Sequence, residues 1–427
     1  MKDVFDRRAF MKWAGAAPLL GYIAAQDLMN KAWAAAGKSG AGENIYARIG
    51  VRPFINCRGT WTYLSGSLEL PEVKAAKQAA AAHFVDIIEL QHAVGRCLAE
   101  LSGAESGMIT SGAAGAMASA TAACIAGSDP AKIWQLPDTT GLKHEVIMHG
   151  GRSAFDSAIR LAGGRLVLAK THDEMRAAIN DTTAMIYTTE LGDSLEKTIA
   201  VAKAGKVPLL LDDAAGIPPI DNLKLYARMG LDLYTFSGGK GLCGPQCSGL
   251  LLGRKDLIEA AIRNTSPYEG AVCRPMKVGK EEIMGCLAAV EAWMKMDLNA
   301  LNRQWNDRVV RIQKLAESVP GVKTEIHIPK DGNRYPTLNV SWDEDAWRFT
   351  VADCDKELRA GDPRIEVLTR SNPSIVSAVE GDDNPKVPRR GDHIEIVSLT
   401  IQPGEELTVG KRLRDILSAA RKKAKAA

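Results

Sequence analysis

Leu233-Tyr234-Thr235-Phe236-Ser237-Gly238-Gly239-Lys240-Gly241-Leu242 is a short aliphatic and aromatic run that passes directly into a glycine-rich turn holding one lysine. Such a run forms a buried strand, and the glycines after it leave room for a bulky group to approach the backbone. Six other runs share its character: Gly107-Met108-Ile109, Val146-Ile147-Met148, Arg165-Leu166-Val167-Leu168, Ala184-Met185-Ile186-Tyr187, Val207-Pro208-Leu209-Leu210-Leu211 and Leu250-Leu251-Leu252. They lie too far apart for hairpins and alternate with helical patterns. The pattern specifies an α/β domain over 106–282 with a mostly parallel seven-stranded sheet of buried strands. In such sheets ligands bind beyond the carboxyl ends of the strands, which is where Lys240 stands.

Around this domain the chain divides into 1–36, which reads differently from the rest, an N-terminal segment with helices over 37–105, and a linking helix with a smaller α+β domain over 283–427. Ile55 to Leu68 reads as irregular, Leu70 to Leu101 as a long helical region, and Ile283 to Val319 as a helix stopped by Pro320-Gly321. Thr337 to Val340 and His393 to Thr400 are strand-like, and the polar, Gly/Pro-rich stretch Ser371 to Asp392 reads as a surface loop.

The 427-residue chain is 46% hydrophobic and 25% charged, the composition of a globular protein with substantial cores. Its 54 Lys plus Arg against 51 Asp plus Glu leave a net charge of +3, too little to gather polyanions, so nucleic acid is not an expected partner. The basic finish Arg421-Lys422-Lys423-Ala424-Lys425 reads as a solvated helix end. The eight cysteines are scattered through a chain large enough to do without disulfides, and are read as free thiols. Cys243 and Cys247 have no His or Cys neighbours at ligand spacing, so no metal is expected.

Gly239-Lys240 also has the form of the end of a P-loop. That motif requires a glycine where Tyr234 stands and Ser or Thr where Gly241 stands, so it fails. An aldehyde cofactor accounts for the lysine better. The amine condenses with pyridoxal 5′-phosphate (PLP), and a substrate amine then displaces it, freeing Lys240 to move a proton. Ser237, three residues earlier, is placed to donate its hydroxyl to the cofactor phosphate.

Two further stretches support this expectation. Leu209-Leu210-Leu211-Asp212-Asp213-Ala214-Ala215-Gly216 ends a very hydrophobic strand in an acid, which would be costly to bury unpaired but is offset opposite a protonated pyridine nitrogen. Ala214 is small enough to lie against the ring. A magnesium ligand and a helix N-cap are the other readings of Asp212, and strand alternation turns Asp213 away. Thr110-Ser111-Gly112-Ala113-Ala114-Gly115-Ala116 opens a helix of small residues, either a phosphate cradle formed with Ser111, Gly112 and Ala113 or simply a close helix contact. The order of cradle, acid and lysine is more specific than any one of them.

Five blocks together resemble the selenocysteine-synthase-like family of PLP enzymes, the group of seryl-tRNA selenium transferase and glucosaminate-6-phosphate ammonia-lyase. They are Ile49 to Asn56, Thr110 to Ala116, Leu211 to Pro219, Ser237 to Gln246 and Arg274 to Glu282. The resemblance runs from about Asn44 onward and implies the aspartate-aminotransferase-like fold (fold type I), a homodimer or larger homo-oligomer, and removal or replacement of a β-substituent on a small amino-acid-like substrate. It implies Lys240 as the Schiff-base residue, Asp212 as the pyridinium partner, and Ser111, Gly112, Ala113 and Ser237 near the phosphate. His149 stands near the ring-stacking position, and Arg58, Arg274 and Arg364 are candidates for a substrate carboxylate or phosphate. Racemisation, aldol cleavage and transamination begin from the same α-carbanion, so they remain alternatives to the lyase reading, as does a non-catalytic binding protein on the same fold.

Residues 1–36 resemble a twin-arginine export leader, the other reading being an amphipathic N-terminal helix that stays attached: Asp6-Arg7-Arg8-Ala9-Phe10-Met11-Lys12, then an apolar stretch Trp13 to Ala25 too short to span a bilayer, then small residues at Ala32-Trp33-Ala34 and Ala34-Ala35-Ala36. The expected partner is the twin-arginine translocase, the expected address the periplasm, or the cytoplasm if the leader is not functional, and no stable membrane anchor is expected. The leader occupies the place of the extra N-terminal domain of the tRNA-dependent enzymes, which argues against an aminoacyl-tRNA substrate.

Overall fold

The computed structural model describes residues 45–149, 152–329, 334–369 and 393–426. Two units are distinguished, 1–53 and 54–427. In the first, Ala47–Ile49 form one turn of 3-10 helix closed by Gly50. The leader and the Ser371 to Asp392 stretch fall outside the described residues. No helix among the described residues is long and apolar enough to cross a membrane.

The strands of the second unit are β1 (Phe54–Cys57), β2 (Ser106–Thr110), β3 (Glu145–His149), β4 (Arg165–Ala169), β5 (Thr183–Thr188), β6 (Leu209–Asp212), β7 (Leu233–Ser237), β8 (Gly249–Gly253), β9 (Lys323–His327), β10 (Thr337–Ser341), β11 (Arg364–Thr369) and β12 (Ile394–Val397). The larger sheet has seven strands in the order β2-β8-β7-β6-β5-β3-β4, and the smaller has five, β1-β11-β12-β10-β9. In the larger sheet β3 to β7 run parallel, while β8 is antiparallel to both its neighbours.

Burial on both faces explains the near-continuous apolar runs. Ile147, Ile186, Leu211, Tyr234 and Phe236 enter one core, and Met148, Met185, Tyr187, Leu210 and Leu233 enter the other, so successive residues of each strand alternate between them. The helix Gly112–Ala126 supplies Ala116 to Ala126 to the second core, where its small side chains allow close contact with the sheet. β4 departs from the expected buried strand. It closes the sheet as an edge, and its Leu168 is 46% exposed.

Outside the larger sheet the chain differs from expectation in one strand and two helix breaks. Phe54–Cys57, read as irregular, pairs in parallel with β11 and so joins the small sheet. Four residues are too few for a periodic signal. The Leu70 to Leu101 region is two helices, Pro71–Ala81 and Ile87–Ser102, because the Asp86 carboxylate caps the second by accepting from the amides of Ile88 and Glu89. Asp297 starts Leu298–Glu317 in the same way, dividing it from Lys280–Trp293.

The edge strand β2 is covered rather than left open. Gln91 of the second helix donates from Nε2 to the Ile109 carbonyl (2.7 Å) and accepts from the Ile109 amide (3.0 Å), all buried. Gln91→Leu strands both backbone groups, at about 1–3 kcal/mol each. The expected result is a urea midpoint shifted down by an equivalent of roughly 3 kcal/mol, and a midpoint equal to that of the wild type would contradict this role.

Candidate active site

Strand register assembles the site at the carboxyl ends of the central strands of the larger sheet. Thr110, Gly249 and Ser237 lie opposite one another across β2, β8 and β7, and Asp212 lies opposite Thr235 across β6 and β7. The start of the Gly112–Ala126 helix therefore sits close to Ser237. The contact is tight: a Cβ on Gly249 would come within 2.4 Å of the Gly112 carbonyl carbon. At Gly112 itself a Cβ would meet nothing within 4 Å, and the Ser111 side chain does not cap its own helix. The free amides, the open space and the uncommitted hydroxyl fit a phosphate.

Lys240 follows β7 in the glycine turn. The backbone there is pressed against its surroundings, since a Cβ on Gly241 would fall 2.0 Å from the Ile217 carbonyl oxygen. The turn is held to the segment after β1 by bonds from the Ser67 amide to the Gly239 carbonyl (3.0 Å) and from the Gln246 side chain to the Thr62 carbonyl (2.8 Å). Lys240 and Asp212 line one cavity of about 430 Å³ with Ser153, Phe155, Tyr187 and Glu190.

Alternation along β6 separates the two acids. Asp212 shares the face of Leu210 and Tyr187, which is also the face of the phosphate-fitting helix. Its Oδ1 accepts from the Ala214 amide and its Oδ2 from the Tyr187 hydroxyl, both at 3.1 Å. Asp213 turns to the other face, where the Tyr226 hydroxyl donates to it at 2.6 Å. Burial raises the Asp212 carboxyl above its ordinary range, against the opposing pull of the Lys240 ammonium and the Tyr187 and Ala214 donors. Burial likewise lowers the Lys240 amine, opposed by the Asp212 and Asp213 carboxylates. Asp212 opens onto the cavity while the surrounding atoms shield it from bulk water. An aldehyde that consumes the amine and a ring cation that faces the acid would relieve both strains, so these residues fit PLP.

The other sequence candidates are placed differently. Ala214 lines the cavity beside Asp212. His149, at the end of β3, is buried with its ring 4.5 Å from that of His172 and is not among the cavity-lining residues, whose aromatic rings are those of Phe155 and Tyr187. Arg58 is 4% exposed and faces the rings of Trp61 and Tyr63, with its Nε unpartnered. Arg364 is engaged with the fully buried Glu366, which also faces Arg359 at 3.0 Å. Arg274 is half-buried two residues before Met276, whose sulfur faces Gly115 of the phosphate-fitting helix. Tyr187 and Glu190 were not singled out by the sequence. Tyr187 reads as one more apolar strand residue until the pairing of β5 with β6 brings it to Asp212.

A doubly covered, mostly parallel sheet that brings a desolvated amine and a buried carboxylate to one cavity, with an anion-fitting helix start beside Ser237, has the layout of a PLP-dependent enzyme of fold type I. Comparison with known proteins agrees. D-glucosaminate-6-phosphate ammonia lyase of Salmonella typhimurium (strain 14028s / SGSC 2262) is 30% identical over 342 residues, 75% of this chain and 88% of that protein. The 5′-C-glycyluridine monooxygenase-decarboxylase of a Streptomyces species is also 30% identical, over 347 residues, 77% of this chain and 85% of that protein. The solved structure of D-glucosaminate-6-phosphate ammonia-lyase matches with a TM-score of 0.72 at 28% identity, covering 88% of this chain and 99% of that one. No family profile matches the chain. The chain belongs to the selenocysteine-synthase-like family of PLP-dependent enzymes, with the ammonia lyase and the more distant seryl-tRNA selenium transferases, 24% identical in Moorella thermoacetica over 80% of this chain and 79% of that protein.

The Tyr187 hydroxyl opposes the burial that raises Asp212, and the raised Asp212 loses its charge at a higher pH than an ordinary carboxylate. A ring cation placed against Asp212 would lose its partner on protonation of the acid, so PLP affinity is expected to fall with falling pH, and in Tyr187→Phe the fall begins at higher pH. A hydrogen bond to a charged group is worth about 1.5–3 kcal/mol, which implies roughly tenfold or greater loss of PLP affinity. Fluorescence titration of the apo protein checks both, and unchanged affinity in Tyr187→Phe would remove the tyrosine from the site.

Proposed function

We propose that the chain is a PLP-dependent lyase that eliminates or replaces a β-substituent of a small polar amino acid or amino-sugar acid. The observation that carries this reading is the shared cavity of Lys240 and Asp212, in which burial keeps the amine more readily neutral than a free lysine. Lys240 would hold the cofactor covalently, Asp212 would face its ring nitrogen, and Ser237 with the start of the Gly112–Ala126 helix would hold its phosphate. When bound, the cofactor supplies an electron-withdrawing ring that stabilises negative charge at the substrate's α-carbon. Lys240, once released by the substrate amine, takes the α-proton on Nζ. Asp212, fixed by Tyr187 and Ala214, would face the ring nitrogen and favour its protonated form. Ser153 and Thr189 give the cavity wall the polar character that a hydroxylated substrate requires. The ammonia-lyase relatives support elimination, whereas the Streptomyces relative is named a decarboxylase, so the scaffold is not tied to one bond.

The holoenzyme, incubated with serine, threonine, D-glucosaminate and its 6-phosphate, is expected to release ammonia and keto acid in equal amounts. Release of carbon dioxide, or inversion at the α-carbon without ammonia, would replace the lyase reading with one of its alternatives.

We further propose that 1–36 directs export to the periplasm by the twin-arginine route, which moves folded, cofactor-loaded proteins. The support is the Arg7-Arg8 sequence with its short apolar stretch. In a bacterium with that pathway, Arg7→Lys with Arg8→Lys is expected to retain the enzyme in the cytoplasm. Equal periplasmic recovery of variant and wild type would contradict the assignment.

A further inference from the structure

Elimination at a β-carbon moves two protons, and the lyase reading above assigns only one. The amine that takes the α-proton is Lys240, beyond β7. A hydroxyl leaving from the β-carbon departs as water only if another group protonates it.

The cavity holds three carboxylates, and two are already committed. Asp212 accepts from Tyr187 and Ala214, and Asp213 accepts from Tyr226 on the opposite face. Glu190 is the third. Its backbone is pinned at the exit of β5, where its amide donates to the Thr188 hydroxyl at 3.0 Å. Its half-buried side chain lines the cavity, faces the His149 ring electrostatically, and makes no side-chain hydrogen bond or ion pair within 4 Å among the described residues. The strand order β7-β6-β5 gives the arrangement a direction, with Lys240 beyond the first, Asp212 at the end of the second and Glu190 beyond the third. Lys240 and Glu190 therefore follow strands on either side of the one that ends in Asp212, and both line the same cavity. A side chain from each flank can then reach a substrate in that cavity, one toward the α-carbon and the other toward the β-substituent.

We propose that Glu190 is the catalytic acid that protonates the β-leaving group, which makes the preferred substrates those with a β-hydroxyl. This rests on the lyase reading. The Cα–H bond breaks with its proton going to Lys240 Nζ, and the Cβ–O bond breaks with its electron pair staying on oxygen. Glu190 gives its proton to that oxygen, so water departs, Lys240 is left as ammonium and Glu190 as carboxylate. Proton transfer through solvent restores both. The unsaturated amine product hydrolyses to keto acid and ammonia without any change of oxidation state.

A pair of substrates with one carbon skeleton tests this. Serine must lose hydroxide, whereas β-chloroalanine loses chloride, which needs no proton. In Glu190→Gln holoenzyme, keto acid release from serine is expected to fall about 10²- to 10⁴-fold, the range for loss of a general acid. Release from β-chloroalanine is expected to stay within severalfold of wild type, and Glu190→Asp to restore part of the serine reaction. Exchange of the serine α-proton with deuterium from solvent, followed by NMR, and PLP affinity of the apo variant should both persist. Equal slowing with both substrates, or serine elimination at the wild-type rate, would overturn the assignment. Wild-type enzyme that exchanges the α-proton but eliminates neither substituent would overturn the lyase reading itself, and the acid role with it.

Discussion

The structure depends on keeping an amine and a carboxylate together in a place that water reaches poorly. Lys240 and Asp212 are each pushed toward neutrality by burial, and each opposes that push on the other. A lone buried charge of either sign would cost several kcal/mol or change its protonation state. The pair is tolerable because the sheet supplies the remaining partners, Tyr187 and the Ala214 amide, and because the turn around Lys240 is anchored on two sides.

The sheet makes this arrangement reproducible. Both faces are covered, so the strands cannot slip without transferring whole rows of side chains from one core to the other. Fixed register places Thr110, Gly249 and Ser237 in a line and sets Asp212 one strand away. The same alternation assigns adjacent acids to different tasks: Asp212 to the face of the phosphate-fitting helix, Asp213 to a bond with Tyr226 that braces the other side. The Salmonella ammonia lyase and the Streptomyces monooxygenase-decarboxylase share a family with this chain yet bear names for different reactions.

How far the sequence revealed this varies with the range of the interaction. The seven large-sheet strands were readable because each is a local apolar run, and Lys240, Asp212 and the helix after Thr110 because each follows such a run directly. Parity along Leu209 to Asp213 also distinguished the two acids. Features made by distant segments were hidden. β1 acquires its identity only by pairing with β11, more than three hundred residues later, and Tyr187 acquires its role only from the β5–β6 pairing. Arg364 illustrates the reverse case. A lone arginine suggests an anion site in sequence, while in the fold Glu366 occupies it.

The central claim is that Lys240 carries the cofactor. Reduction of the holoenzyme with borohydride, followed by proteolysis and mass analysis, tests it directly. The account predicts a pyridoxyl-phosphate adduct on the peptide containing Lys240, with Lys240→Ala protein unlabelled. An adduct confined to another lysine, or full labelling of the Lys240→Ala protein, would contradict it.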